Sequence, residues 1–332
     1  MKSMFCPNCG KQIPDDSAFC NECGARLRPE PEQQGRRAQP SAAYPAQKRR
    51  PIVLYMGIAV LLMIVAAALF LVLWNARAND PLHGTKLKRQ TIWEENGLCV
   101  EATGLRYEEY SAYPYQIELE ISNQSGRALT VQCDAATVNG YAVDQIMSVD
   151  ITAGGSVTDA LSISERSMWR AGIEMIGTVD MILSASDTDT HGNGFRSDVL
   201  TFQTNKKVSQ EDQSVRGEVL YDQNGIRLSY VTYYPQYDDD NQALEFYVEN
   251  KTGRTLAFRD GTTSAGGVEI TDTWLSEIMT PDSKGYFCLQ VNRNELDAAG
   301  QLPMRDVTTV FVFYNLGTEE TLFELPVSFT VS

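Results

Sequence analysis

Four cysteines near the N-terminus carry the clearest chemistry in the chain. Cys6-Pro7-Asn8-Cys9-Gly10 and Cys20-Asn21-Glu22-Cys23-Gly24 give the spacing C-x2-C-x10-C-x2-C. Two residues between a pair of cysteines let both sulfurs of one tight turn face a single metal. The glycine that follows can take the turn conformation that aims backbone N–H groups at the sulfurs. Two such turns supply four thiolates, which closes a tetrahedral zinc site and leaves no position for a reacting water. The expected cofactor is a structural Zn2+ held by Cys6, Cys9, Cys20 and Cys23; iron or a redox dithiol pair are the alternatives for this spacing. Residues 1–28 make too small a unit to fold without the metal.

Other constellations each have a plainer explanation. Cys99, Cys133 and Cys288 lie far from the first four. Asp187, Asp189, His191, Asn193 and Asp198 partly follow a calcium-loop pattern. The pattern fails at His191, where Asp or Asn is usual, and at Asp198, where Glu is usual, so a polar hairpin is the simpler reading. Asp238-Asp239-Asp240 reads as a solvated acidic loop before it reads as a calcium site. The only histidines, His83 and His191, have no serine or cysteine nucleophile motif nearby, and no G-x-S-x-G, P-loop or H-E-x-x-H occurs. Glu108-Glu109 reads as a solvated pair. No catalytic residues are assigned, and the chain is not expected to be an enzyme.

The elements around these residues come from charge and hydropathy. The net charge of -15 is unevenly spread: residues 1–51 hold nine Lys/Arg against five Asp/Glu, whereas residues 79–332 hold 18 against 38. An acidic body repels phosphate, so nucleic acid is not an expected partner. The ribbon gives no basic surface either, since four basic and three acidic residues in 1–28 are joined by a zinc–tetrathiolate group of net negative charge.

Between the two ends, Ile52–Trp74 is an uncharged apolar run of 23 residues. As a helix it would extend roughly 34 Å, enough to cross a hydrocarbon core of about 30 Å with some tilt. Tyr55 and Trp74 stand near its ends, where amphipathic rings favour the headgroup region. Ala76-Arg77-Ala78 matches a cleavage signal, but the run is too long and too far from the N-terminus for an ordinary signal peptide. Lys48-Arg49-Arg50 on its N-side outweigh the basic residues beyond it only slightly. The thiol site adds to the case for a cytoplasmic N-terminus, because free thiols persist in a reducing compartment. Residues 29–51 read as a disordered basic tether reaching roughly 25–30 Å, and residues 75–94 as a stalk.

Beyond the stalk the sequence repeats at an offset of about 128 residues. Asn96-Gly97 corresponds to Asn224-Gly225, and IELEISNQSGRALTV (117–131) to LEFYVENKTGRTLAF (244–258), with Arg127 and Arg254 in register. The shared N-x-[ST]-G-R-x-L also matches a glycosylation sequon at Asn123 and Asn250, but reads as a turn. The arginines read as structural at that turn, with a ligand carboxylate as the alternative. Both copies alternate apolar and polar residues between turn signals, as in Ile117–Ile121 and Leu244–Val248. Short helical turns are expected near Ser164–Ala171 and Arg293–Ala299. The expected fold class is all-β: two tandem β-sandwiches at 95–205 and 222–332 joined by a linker at 206–221, with a closed barrel as the alternative. Cys99 aligns with Arg227 and Cys133 with Asp260, which suggests a disulfide in one copy and an ion pair in the other, or two unlinked thiols.

The repeats resemble the immunoglobulin-like extracellular modules of surface proteins from Gram-positive bacteria, a likeness resting on strand and turn residues and implying a fold without a chemistry. Residues 4–27 resemble the short zinc ribbon at the N-terminus of many bacterial membrane proteins. Together these features suggest a single-pass protein of the cell membrane, N-terminus cytoplasmic and C-terminal domains outside, with protein partners on both faces. Its expected role is a cell-envelope adaptor or sensor. The alternatives are a structural or assembly subunit of a membrane complex and a calcium-dependent adhesion module. Ligand and oligomeric state are not legible.

Overall fold

The alternation of Ile117–Ile121 sets one face of a strand. Ile117, Leu119 and Ile121 are buried, while Glu118 and Glu120 reach the surface. The computed structural model describes residues 3–27, 61–71, 80–192, 194–212 and 217–331. Two compact units divide the chain, Met1–Ala66 and Ala67–Ser332.

In the first unit, β1 (Ser3–Phe5) and β2 (Gln12–Pro14) form an antiparallel hairpin with Met4 opposite Ile13. Of the expected span Ile52–Trp74, residues 61–71 (α1) are helical with exposed side chains. The rest of that span, the tether at 29–51 and residues 75–79 of the stalk lie outside the described residues. Among the described residues, no helix is long and apolar enough to cross a membrane.

The second unit is built from two successive runs of strands. The first comprises β3 (Gln90–Glu95), β4 (Leu98–Tyr107), β5 (Tyr115–Asn123), β6 (Leu129–Val138), β7 (Tyr141–Ala142), β8 (Gln145–Ile146), β9 (Ser148–Ile151), β10 (Ser156–Ile163), the helix α2 (Glu165–Arg170), β11 (Thr178–Asp187), β12 (Phe195–Arg196) and β13 (Leu200–Gln203). The second run comprises β14 (Glu218–Gln223), β15 (Ile226–Tyr234), β16 (Asn241–Asn250), β17 (Leu256–Ala265), β18 (Val268–Ile270), β19 (Thr273–Trp274), β20 (Ser276–Met279), β21 (Lys284–Asn292), the helix α3 (Arg293–Ala298), β22 (Asp306–Tyr314) and β23 (Thr321–Thr330). In the first run β3-β4-β5-β10-β8 form one sheet, and β6 carries β11, β9 and β7 in another. In the second, β14-β15-β16-β21 lie side by side and β17 carries β22, β18 and β20. One apolar cluster fills the space between the sheets of each run.

The duplication extends to the irregularities. A bulge interrupts the β4–β5 pairing between Ala102 and Gly104, and the β15–β16 pairing between Tyr230 and Thr232. The hairpins at Asn96-Gly97 and Asn224-Gly225 put both central residues at positive φ, 49° and 82° in one and 55° and 78° in the other. That geometry matches the strand twist and favours Asn-Gly. Asn123 is fully buried, and its Nδ2 donates to the carbonyls of Arg127, Ile151 and Thr152 at 2.7, 3.1 and 3.2 Å. Asn250 does the same in the second run, donating to Arg254 and Thr280 at 2.8 and 2.9 Å. The repeated asparagine is thus the bracket that ties one sheet to the other, and the arginines in register lend it a backbone carbonyl.

Three boundaries and one pattern differ from the sequence reading. Residues 90–94, placed in a stalk, belong to β3 and bury Trp93 at its centre. The residues before it also fold back, since Lys86 and Asn205 exchange two hydrogen bonds of 2.7 and 2.9 Å. Residues 218–221, placed in a linker, belong to β14, while Gln210 donates to the carbonyls of Ala171 and Gly172. Finally, Leu244–Val248 does not present a solvated face: Glu245 and Tyr247 are each only 3% exposed. The first run covers that face. Tyr247 joins its core, Arg170 forms an ion pair with Glu245, and β7 makes a single parallel bridge to β21 between Tyr141 and Lys284.

Candidate metal centre

Each cysteine pair sits on the same backbone turn. The N–H of Cys6 donates to the carbonyl of Lys11 and that of Gly10 to the carbonyl of Cys6, at 2.8 and 2.9 Å. Cys20 donates to Ala25, and Gly24 to Cys20, both at 2.8 Å. Gly10 and Gly24 have φ of +70° and +72°, a left-handed conformation that costs glycine nothing. The β1–β2 hairpin leads into the first turn. Ile13, packed with Met4, Ala25 and Leu27, supplies the small apolar floor beside Cys6 and Cys20.

The four sulfurs all lie within 4.8 Å of one another. Cys6 Sγ is 3.8 Å from Cys23 Sγ, and Cys9 Sγ is 3.6 Å from Cys20 Sγ. A tetrahedral zinc with Zn–S bonds of about 2.3 Å requires sulfur–sulfur edges of about 3.8 Å, so the cage fits the ion. Backbone dipoles are aimed to hold thiolates. The N–H groups of Cys9 and Asn8 hold the Cys6 thiol below its ordinary range. The N–H of Ala25, followed by the Asn8 side chain at 3.6 Å, pulls Cys23 down to about 6. At Cys9 the N–H of Lys11 also pulls down, but the crowd of Cys23, Cys20 and Cys6 sulfurs outweighs it and leaves the thiol raised to about 12. A dication at the centre reverses that crowding and stabilises all four thiolates.

Among the described residues, no other group of three His, Cys, Asp or Glu side chains comes this close. Asp187 Oδ1 instead accepts the N–H groups of Asp189 and Thr190 at 3.1 and 3.2 Å, which lowers its carboxyl. Asp238 is held down in the same way, by the Asn241 side chain and the N–H groups of Asp240 and Asn241. Both acidic loops are turns closed on their own backbone; Asn193 lies outside the described residues. His83 and His191 are exposed at positive φ, and Glu108 and Glu109 are exposed.

Cys99, Cys133 and Cys288 are free thiols. The suggested Cys99–Cys133 disulfide is not formed: Cys99 stands between the inward-facing Leu98 and Val100, so it points out of the core and away from Cys133 on the other sheet. The parallel suggestion for the second copy fails too. Arg227 faces Asp222, while Asp260 accepts from Thr273 Oγ1 and the N–H of Leu275 at 2.5 and 2.8 Å. Burial raises the Cys133 thiol and pushes Cys288 up to about 11.

Comparison with curated proteins gave no match. Similar solved structures include the YadV chaperone, at 11% identity over 70% of this chain and 100% of that one, with a TM-score of 0.23. The Salmonella enterica SafA pilin in complex with the SafB chaperone is 13% identical over 72% of this chain and 98% of that one, with a TM-score of 0.21. Red sea bream transglutaminase is 11% identical over 74% of this chain and 31% of that one, with a TM-score of 0.19. Superpositions this loose carry neither a fold assignment nor a function. The N-terminus is different: residues 5–27 match the zinc-ribbon domain family. With all four cysteines inside that match and their sulfurs gathered at the spacing of a tetrahedral site, the N-terminal unit is a zinc ribbon built for a structural Zn2+.

Proposed function

We propose that the chain is a non-catalytic adaptor or sensor of a cell envelope, anchored by Ile52–Trp74, with the ribbon in the cytoplasm and the two strand-built copies outside as immunoglobulin-like sandwiches. The observation that carries this reading is the partition of the sequence. A basic, metal-folded unit and an acidic, duplicated β body lie on either side of an uncharged run long enough to cross a bilayer. A closed four-thiolate site has no open coordination position, so its use is to present a folded surface, and protein contact suits a ribbon that lacks basic charge. The β body exposes side chains suited to recognition, Tyr110 and Trp169 among them at 96% and 74% exposure. Partners on both faces are the consequence of the reading.

Crosslinking in intact cells tests it. A photo-crosslinker at Phe19 in the ribbon and another at Tyr110 should capture two different sets of proteins. Capture of one shared set, or of none at either site, would leave the adaptor reading without support.

A further inference from the structure

Where the two copies of the second unit meet there is a cleft of about 510 Å3, within the roughly 300–1,000 Å3 typical of small-molecule sites. Its charged lining comprises Asp134, Asp144, Glu245 and Glu277 against Arg166 and Arg170. Most of these are already engaged. Asp134 pairs with Arg196 at 2.5 Å, and Arg170 pairs with Glu245 while lying 4.7 Å over the Tyr286 ring. Arg166 is stacked over Tyr234 and Tyr237 at 5.3 and 4.9 Å. Two carboxylates remain for an occupant. Asp144 accepts from the Tyr113 hydroxyl at 3.0 Å and from the N–H of Gln145, and Arg166 lies near enough to attract it, but no side-chain cation is hydrogen-bonded to it. Glu277, on β20, has no hydrogen-bond or ion-pair partner among the described residues.

Glu277 opens onto the cleft and is only partly exposed there. Protein surrounds it closely enough that burial, with Asp144 nearby, lifts its carboxyl to about 8. The wall adds one more unfilled acceptor: Gln145 donates its Nε2 to the Cys133 carbonyl at 2.9 Å, and its Oε1 is buried with no donor. A site with spare acceptors and few spare donors selects a ligand that brings N–H groups and positive charge. Beside the buried Phe287, the rings at the cleft without a stacked guanidinium are Tyr113 and Trp274, the latter 66% exposed. Aromatic faces beside carboxylates suit an organic cation. A bare divalent metal is disfavoured, because no three acidic, His or Cys groups converge here.

We propose that this cleft binds a primary ammonium carried on an alkyl chain, as in a diamine or a lysine side chain, with Glu277 and Asp144 as its counter-charges and Tyr113 and Trp274 flanking the chain. The inference goes beyond the anchored-adaptor reading and does not depend on which side of a membrane the second unit occupies.

The test is calorimetric titration at pH 9, where Glu277 carries its charge and an alkyl ammonium keeps its own, of the purified full-length chain with 1,5-diaminopentane, with Nα-acetyl-lysine amide as the peptide-like arm. Pentane-1,5-diol and calcium chloride serve as controls. Saturable binding of at least one amine is expected, weakened at least tenfold by Glu277→Gln and at least threefold by Asp144→Asn. The two arms separate a free diamine from a lysine side chain as the source. Both substitutions preserve side-chain shape, and an unchanged melting temperature in acid would show that the fold is intact. The proposal is overturned by no saturable amine binding, by equal binding of the diol, by calcium binding that the two substitutions abolish, or by amine affinity that survives Glu277→Gln.

Discussion

Removing the charge of Glu277 should make the second unit more stable in base and leave it unchanged in acid. Its carboxyl, ordinarily near 4.5, is lifted to about 8 by burial and by the neighbouring Asp144. Below about pH 4.5 the folded and unfolded chains both hold the proton, so the group contributes no difference. Between 4.5 and 8 the fold keeps a proton that the unfolded chain has released, and stability therefore falls as pH rises. At about 1.4 kcal/mol per pH unit the full gap corresponds to about 5 kcal/mol. Water in the cleft and relaxation of the wall reduce this to about 2–4 kcal/mol. For a unit of this size, about 2–4 °C accompanies each kcal/mol, so Glu277→Gln should melt about 5–10 °C above the parent at pH 9 and together with it at pH 4.5. Asp144, Tyr237 and Cys288 face the same space and titrate in both proteins, and Arg166 lines it in both, so the difference between the two curves isolates Glu277. Thermal unfolding followed by circular dichroism from pH 4.5 to 9 supplies the measurement. Parallel curves, or a variant less stable in base, would refute the reasoning that Glu277 is buried without a partner.

The other predictions concern the ribbon, the buried asparagines and the contact between the copies. One zinc per chain is expected by elemental analysis. A strong chelator, or Cys20→Ser, should erase the dispersed amide resonances of residues 3–27 without moving the main melting transition, because metal binding of about 10–16 kcal/mol is the folding energy of such a unit. Asn123→Ala and Asn250→Ala should each cost about 3 kcal/mol, since both leave buried carbonyls without a donor, and should lower the melting temperature by about 6–12 °C. Arg170→Met strands the carboxylate of Glu245, itself 3% exposed. A loss of about 3–5 kcal/mol is expected, and calorimetry should then resolve separate transitions for the two copies.

What could be read from the sequence was whatever depends on near neighbours. The thiol cage was legible down to its ligands, because two turns of four residues fix the sulfurs and each needs only its own glycine. Both short helices appear where expected, Glu165–Arg170 and Arg293–Ala298. The recurring turn residues were legible too, with Arg127 and Arg254 structural at the turn through their carbonyls. The buried asparagines four residues before these arginines are what hold the sheets together. Period-two alternation already argues against Cys99 as a disulfide partner, since Leu98 and Val100 take the inward positions. The cleft could not be found in this way. Asp144 and Glu277 are 133 residues apart and meet only because one copy packs on the outer face of β16. That packing also turned the expected solvated residues Glu245 and Tyr247 into interior ones, which no local pattern encodes.

The account rests on the two ends of the chain facing different compartments, and an added thiol can report that directly. Tyr110, 96% exposed in the first copy, is replaced by cysteine, and intact cells are treated with a membrane-impermeant maleimide before and after lysis with a chelator. The expected result is labelling of the Tyr110→Cys site in intact cells, with Cys6, Cys9, Cys20 and Cys23 labelled only once the cells are opened and the metal removed. A Tyr110→Cys chain that stays unlabelled until lysis would place the acidic body on the inner side and contradict the proposed layout.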